Sequence, residues 1–223
     1  MLRDPNGLAI LLEGDCSHAV GVAGGIARAG MTPGIAWFDA HGDLHTYATT
    51  TTGYVGGMPF AVALGWDCAD WQAEAGLTQP VRAGAAALIG ASDLDPEEVA
   101  ALEKHPIARL DAENFGDDPA KQVADLLMPR SKNADWYLHL DVDVAGPQEV
   151  PGGMTPSLKS PTRDALRSAI HSAAKTLRPR ALSLATYNPT SDPDGRGARF
   201  GLDMLEAMLD GIEEATKKHS PRT

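Results

Sequence analysis

Short runs of apolar residues recur along the chain, and most are followed by a segment with helical spacing. Leu8–Leu12 (LAILL) is the first run; Asp15 or Ser17 then caps an Ala/Gly-rich helical stretch that reaches about Ala29 and is ended by Gly30. Gly34–Phe38 is the second run, followed by a long polar loop through Gly57 and a helix resuming over Pro59–Leu64. Ala85–Ile89 (AAALI) reads as a third strand. Asp95-Pro96-Glu97-Glu98 opens the next helix with a capping residue, a proline in the first turn and acids near the positive helix end. The alternation continues with strands over Ile107–Leu110, Trp136–Val142 and Ala181–Thr186, and helices over Pro119–Leu127 and from Ser160-Pro161 to about Leu177. In the closing helix Leu202, Leu205, Leu209, Ile212 and Ala215 are predicted to line one face. Short apolar strands alternating with helices indicate a mainly parallel sheet covered on both faces, with ligands outside the carboxyl ends of its strands.

A chain of 223 residues with 43% hydrophobic content can bury one substantial core, so residues 1–223 read as a single domain. The formal net charge of -11 excludes nucleic acid as an expected partner, because counterion release needs clustered Lys and Arg. Cys16 and Cys68 make no disulfide framework, and the N-terminal MLRDPNGLAI has no leader pattern, so a cytoplasmic protein is expected. No apolar run approaches the ~20 residues of a membrane helix.

Charge enters where strands end. The second run breaks into Asp39, His41 and Asp43 (DAHGD), and the strand ending at Leu140 breaks into Asp141 and Asp143 (DVDV). Alternation by two puts each set on one side of an extended backbone. Four carboxylates brought close would raise one another's proton affinities unless a cation neutralised them. One or two divalent ions answer that need, and oxygen-rich ligands with an imidazole suit Mn²⁺ better than Zn²⁺. Solvated acids in surface loops are the alternative reading of either stretch alone.

With DAHGD at 39–43, Gly57-Met58-Pro59, DVDV at 141–144, Pro147, Thr155-Pro156, Asn188-Pro189 and the earlier Glu13-Gly14-Asp15-Cys16-Ser17, the chain resembles the arginase/agmatinase/formiminoglutamase family, the ureohydrolases. The likeness spans about residues 8–215. It implies a three-layer α/β/α sandwich, a trimer or hexamer of identical subunits, and two Mn²⁺ ions that activate hydroxide against a guanidinium or amidine carbon. Under it Asp39 and Asp141 are shared between both ions, His41 and Asp143 complete one, and Asp43 belongs to the other. The chain also begins closer to its first motif than family members usually do.

Three positions depart from the family pattern. Cys16 replaces a metal-ligating His and reads either as a soft ligand favouring Zn²⁺ or Fe²⁺ or as a small buried hydrophobe. Gly56 stands where arginases carry a proton-shuttling His, and Thr186 where they carry a Glu that grips the guanidinium. Such departures resemble a divergent branch of the family, to which no substrate is assigned. His45 is a candidate substitute shuttle, and Thr52 and Tyr54 fall where the family contacts substrate. His18, His139, Arg196 and Arg199 are weaker candidates: each has an ordinary packing or surface reading. The acids Glu206, Asp210, Glu213 and Glu214 read as a solvated helix face.

The expected function is metal-dependent hydrolysis of C–N bonds in linear amidines or guanidines. Two alternatives stay open: a non-catalytic relative that keeps one metal as a structural element, and an amide deacetylase with a single metal.

Overall fold

The apolar runs become six strands of one sheet, and the computed structural model describes them within residues 7–151 and 157–217. In chain order the elements are β1 (Ala9–Leu12), α1 (Ala19–Arg28), β2 (Pro33–Phe38), α2 (Pro59–Leu64), α3 (Ala69–Ala75), β3 (Ala86–Ile89), α4 (Pro96–Lys104), β4 (Ala108–Leu110), α5 (Pro119–Leu127), β5 (Asp135–Asp141), α6 (Arg163–Leu177), β6 (Ala181–Ala185) and α7 (Arg196–Lys217). Thr155-Pro156 lies outside the described residues.

All neighbouring strands pair in parallel, in the order β1-β6-β5-β2-β3-β4. Every residue of β2, β3 and β6 is buried, which is why these runs are apolar apart from Ser183 instead of alternating. Helices α1, α2 and α3 pack on one another, and α6 packs on both α5 and α7; these groups form the outer layers of a three-layer α/β/α sandwich. Trp37, Phe38, Trp136 and Tyr137 are fully buried in the central strands, each contributing about 1.5–3 kcal/mol of apolar burial.

From β2 the chain runs outward to β3 and β4; from β5 it runs the other way to β6. The β2/β5 boundary is thus the point where strand order reverses, and a crevice forms there at the carboxyl ends. Its register pairs Phe38 with Leu140, so Asp39 and Asp141 emerge side by side.

Several expectations are corrected. The face of α7 that packs inward is Phe200, Met204, Ala207, Met208, Gly211 and Ala215, whereas Leu202 and Leu209 are exposed. Leu205 and Ile212 are partly buried and pack at the edge of the core. Helix α6 opens at Arg163, with Thr162 as its cap, because the Thr162 hydroxyl accepts from Ala165 N. Strand β6 stops at Ala185, since Thr186 takes a left-handed φ of 64°. Strand β5 stops at Asp141, where Val142–Val144 turns into one turn of 3-10 helix. Between Leu64 and Ala85, where sequence pattern names no element, lies the short α3.

Candidate metal centre

Both acidic strand ends use one local device. Asp39 Oδ1 accepts from His41 N at 2.8 Å, and Asp141 Oδ1 accepts from Asp143 N at 2.8 Å. In each case a carboxylate takes the backbone N–H two residues on, which turns the chain and brings the second side chain back over the first. This answers why acids and imidazole are spaced by two. Trp37 Nε1 donates to Asp39 Oδ2 at 2.9 Å, and the Thr186 hydroxyl donates to Asp141 Oδ1.

The turns converge. His41 Nδ1 lies 3.3 Å from Asp39 Oδ1 and 3.2 Å from Asp143 Oδ2. On the β1 side the Cys16 thiol donates to Asp141 Oδ2 at 2.9 Å. Asp39, Asp43, Asp141, Asp143 and Cys16 are all buried, and Asp43 takes a left-handed φ of 50°. His41 Nε2, Asp43 Oδ2 and Asp143 Oδ1 are buried with no hydrogen-bond partner among the described residues.

Burial, with the neighbouring carboxylates, pushes Asp43 and Asp141 well above the usual carboxylate range. Burial and Asp39 raise Asp143 to about 6. Burial opposes the protonation of His41, but Asp143 and Asp39 outweigh it and push the imidazole up to about 12. Burial also raises the Cys16 thiol and holds His139 neutral, down at about 3. Asp39 and Asp143 thus hold the His41 imidazole, Asp43 and Asp141 lie buried in the same hollow, and the lining of the cleft above them includes no Lys or Arg among the described residues. Unpartnered oxygens, an imidazole and a thiol converging in one acidic hollow fit one or two divalent cations.

The cleft holds about 590 Å³. His45, Thr52, Tyr54 and Thr186 all line it. His45 Nε2 meets Asp95 Oδ2 at 2.9 Å, and its Nδ1 meets Thr49 Oγ1 at 3.3 Å. His18 instead faces solvent beside the Asp15 carbonyl, and Arg196 pairs with Asp194 and the Gln148 carbonyl away from the cleft. Asp210 and Glu214, read as solvated, pair with α6 through Arg167, His171 and Lys175.

Two contributors were not foreseen. Glu98 looks like a helix-start acid in the sequence; it closes the capping box with Asp95, accepts from Leu44 N at 3.0 Å and lies directly beneath Gly42. Trp37 reads as plain core, yet its indole N–H holds Asp39. No sequence signal separates a core tryptophan from one that orients a carboxylate.

A model of the arginase family matches residues 2–210. The chain belongs to the arginase family. It is 35% identical over 209 residues to the arginase of Brevibacillus brevis, a match covering 90% of this chain and 68% of that protein. An arginase structure from Bacillus subtilis superposes with a TM-score of 0.85 at 24% identity, covering 93% of this chain and 74% of that one. A proclavaminate amidino hydrolase from Streptomyces clavuligerus gives a TM-score of 0.74 at 21% identity, covering 92% and 64%.

Within this arginase-family chain the departures acquire physical reasons. A Cβ on Gly56 would lie 2.4 Å from the Tyr54 ring, so Tyr54 fills the space that a side chain at 56 needs. Thr186 turns its hydroxyl onto Asp141, beside the Ala185 carbonyl at 2.8 Å. Cys16 faces the hollow instead of the apolar core alone, with Asp141 on one side and His139 Nε2 at 3.3 Å on the other.

Proposed function

We propose that this arginase-family hydrolase cleaves a C–N bond of a guanidino or amidino compound at a divalent-metal centre formed by Asp39, His41, Asp43, Asp141, Asp143 and Cys16. The observation that carries the proposal is the meeting of His41 Nδ1 with Asp39 and Asp143 at 3.3 and 3.2 Å, beside buried Asp43 and Asp143 oxygens that have no partner. Asp39 and Asp141, adjacent across β2 and β5, would be the carboxylates shared between two ions. His41 and Asp143 complete one set; Asp43 and Cys16 complete the other. The carboxylates suit Mn²⁺, and the thiol shifts the preference toward Zn²⁺ or Fe²⁺. When bound at these residues, such ions would supply Lewis acidity and activation of water for attack on a guanidinium or amidine carbon.

The protein's own groups do the rest. His45, hydrogen-bonded to Asp95 on the cleft wall, carries the proton that the residue at Gly56 cannot. Thr52 and Tyr54 meet the far end of the substrate, and Thr186 bounds the opposite wall while its hydroxyl orients Asp141. The acidic lining, without Lys or Arg among the described residues, favours a cationic guanidinium or amidinium. No described helix is long and apolar enough to cross a membrane. As the ureohydrolase likeness implies, the working unit is a homo-oligomer, trimer or hexamer.

The test is turnover of a panel of guanidino and amidino compounds by protein loaded separately with Mn²⁺, Zn²⁺ and Fe²⁺, with Asp141→Asn as control. Hydrolysis by the loaded wild type that the variant lacks supports the assignment. No hydrolysis with any ion, or equal rates in both proteins, overturns it.

A further inference from the structure

Beneath the centre a second polar array is fully enclosed by the sheet. His139, on β5 two residues before Asp141, has no solvent exposure and stacks on Trp37 at a centroid distance of 3.8 Å. Its Nδ1 lies 2.9 Å from Ser183 Oγ and 2.9 Å from Tyr137 Oη. Ser183 Oγ and Tyr137 Oη also touch, and Tyr137 donates to Glu13 Oε1 at 2.9 Å. Counting hydrogens fixes the directions. Once Tyr137 has given its one proton to Glu13, the Tyr137–Ser183 contact needs the Ser183 hydrogen, so Ser183 accepts from His139 Nδ1–H. The opposite tautomer would leave two oxygens in contact with no hydrogen between them. Nδ1 is therefore the protonated nitrogen, and the Nε2 lone pair points to Cys16 Sγ at 3.3 Å.

A neutral histidine whose far N–H is held by a relay ending in a carboxylate, with its other nitrogen bare, is the arrangement found around metal-ligating imidazoles. Cys16 Sγ, an Asp39 oxygen and a His139 nitrogen lie within 4.8 Å of one another. We propose that His139 is itself a metal ligand, and that it joins Cys16, Asp43 and the shared Asp39 and Asp141 in a sulfur/nitrogen/oxygen site selective for Zn²⁺, next to the harder Asp39/His41/Asp143 site. Glu13, Tyr137 and Ser183 are positioning residues that aim the His139 ring. The proposal rests on the metal centre above and refines it: the two halves of the centre differ in softness, so they take different ions. A thiolate and an imidazole beside carboxylates make a mixed donor set of the kind that Zn²⁺ accepts, whereas a manganese site would not recruit the sulfur.

The test uses the full chain stripped of metal and reloaded with one equivalent of Zn²⁺. X-ray absorption at the zinc edge should show one sulfur at about 2.3 Å together with imidazole scattering. The sulfur should vanish in Cys16→Ser; the imidazole should vanish in His139→Gln and persist in His41→Asn. Zn²⁺ affinity, measured by competition with a chromophoric chelator, should fall in Ser183→Ala by roughly 10–100-fold, and by more in His139→Gln, while Mn²⁺ affinity stays within about threefold in both. Ser183→Ala removes only a small hydroxyl, so it keeps the proposal testable if His139→Gln fails to fold. A zinc spectrum without sulfur, or unchanged Zn²⁺ affinity in Ser183→Ala and in folded His139→Gln, overturns the proposal. If Mn²⁺ binding is meanwhile lost in Asp143→Asn, the wider metal assignment stands; a wild type that binds neither ion overturns both.

Discussion

His41 Nδ1 and Asp143 Oδ2 stand 3.2 Å apart although 102 positions separate the residues, and the pair sets how the centre answers to pH. His41, ordinarily near 6.5, is pushed up to about 12, and Asp143, ordinarily near 3.8, up to about 6. Both bind protons more tightly folded than unfolded. The stability His41 contributes is therefore complete below its unfolded value and lost as pH climbs toward its folded one; the cost of ionising buried Asp143 sets in between its two values. Metal-stripped protein should melt at progressively lower temperature from about pH 6.5 to about pH 9. Excess Mn²⁺ should flatten or invert that slope, since binding requires the ligands to lose their protons. Differential scanning fluorimetry over this range, with and without the ion, checks the sign.

Asp141 accepts from Asp143 N, Cys16 Sγ and the Thr186 hydroxyl at once. Asp141→Asn should abolish binding of at least one ion, read by elemental analysis. It should also remove the stabilisation a bound ion confers, about 2.7 kcal/mol at a hundredfold excess over Kd. Unchanged metal content would sink the role given to Asp141.

Gly42 sits over Glu98, and a Cβ there would approach its carboxylate oxygen to 2.6 Å. Glu98 cannot retreat without releasing Leu44 N and Asp95 N, at 3.0 Å each. Gly42→Ala should cost about 1–3 kcal/mol in a urea melt with the slope unchanged. Glu98→Ala should cost a similar amount, by exposing two unpaired donors and half the capping box.

Gly56→Ala should behave differently, because what a Cβ would strike at 2.4 Å is the far end of the half-exposed Tyr54 ring. The ring can swing outward, so the melting point should move by no more than about 0.5 kcal/mol equivalent. The displaced ring changes the cleft wall, so the expected kinetic signature is a raised KM with kcat little altered. A large stability loss would show that Tyr54 is locked in place.

His45 shares its ring with Asp95 and Thr49. If it carries the proton, His45→Ala should lower kcat by roughly 10²–10⁴-fold while the bound metal is retained. A KM effect alone would mark His45 as a substrate contact.

Much of the architecture was legible in the chain because its physics is local. Strands covered on both faces are apolar at nearly every position, so GIAWF and ALSLA announce themselves without partners, and the edge strand LAILL is apolar although Ile10 and Leu12 are exposed. The i, i+2 spacing of Asp39/His41 and Asp141/Asp143 is likewise local, since each turn closes on its own backbone. Helix α7 shows where local reading stops: its apolar residues form two stripes, and only contact with α6 and β6 selected the Phe200/Met204/Met208 stripe over Leu202 and Leu209.

What the sequence by itself determined was which residues could do chemistry and that they stand at strand ends. Which of them meet was decided by strand order and register: pairing Phe38 with Leu140 puts Asp39 beside Asp141, and pairing His139 with Ser183 gives the imidazole its orienting partner. The same packing put Glu98 under Gly42 and Tyr54 over Gly56. The reason is range. Periodicity and turn propensity act over a few residues, whereas a metal site of this kind is assembled across more than a hundred, through contacts that exist only once the sheet has formed.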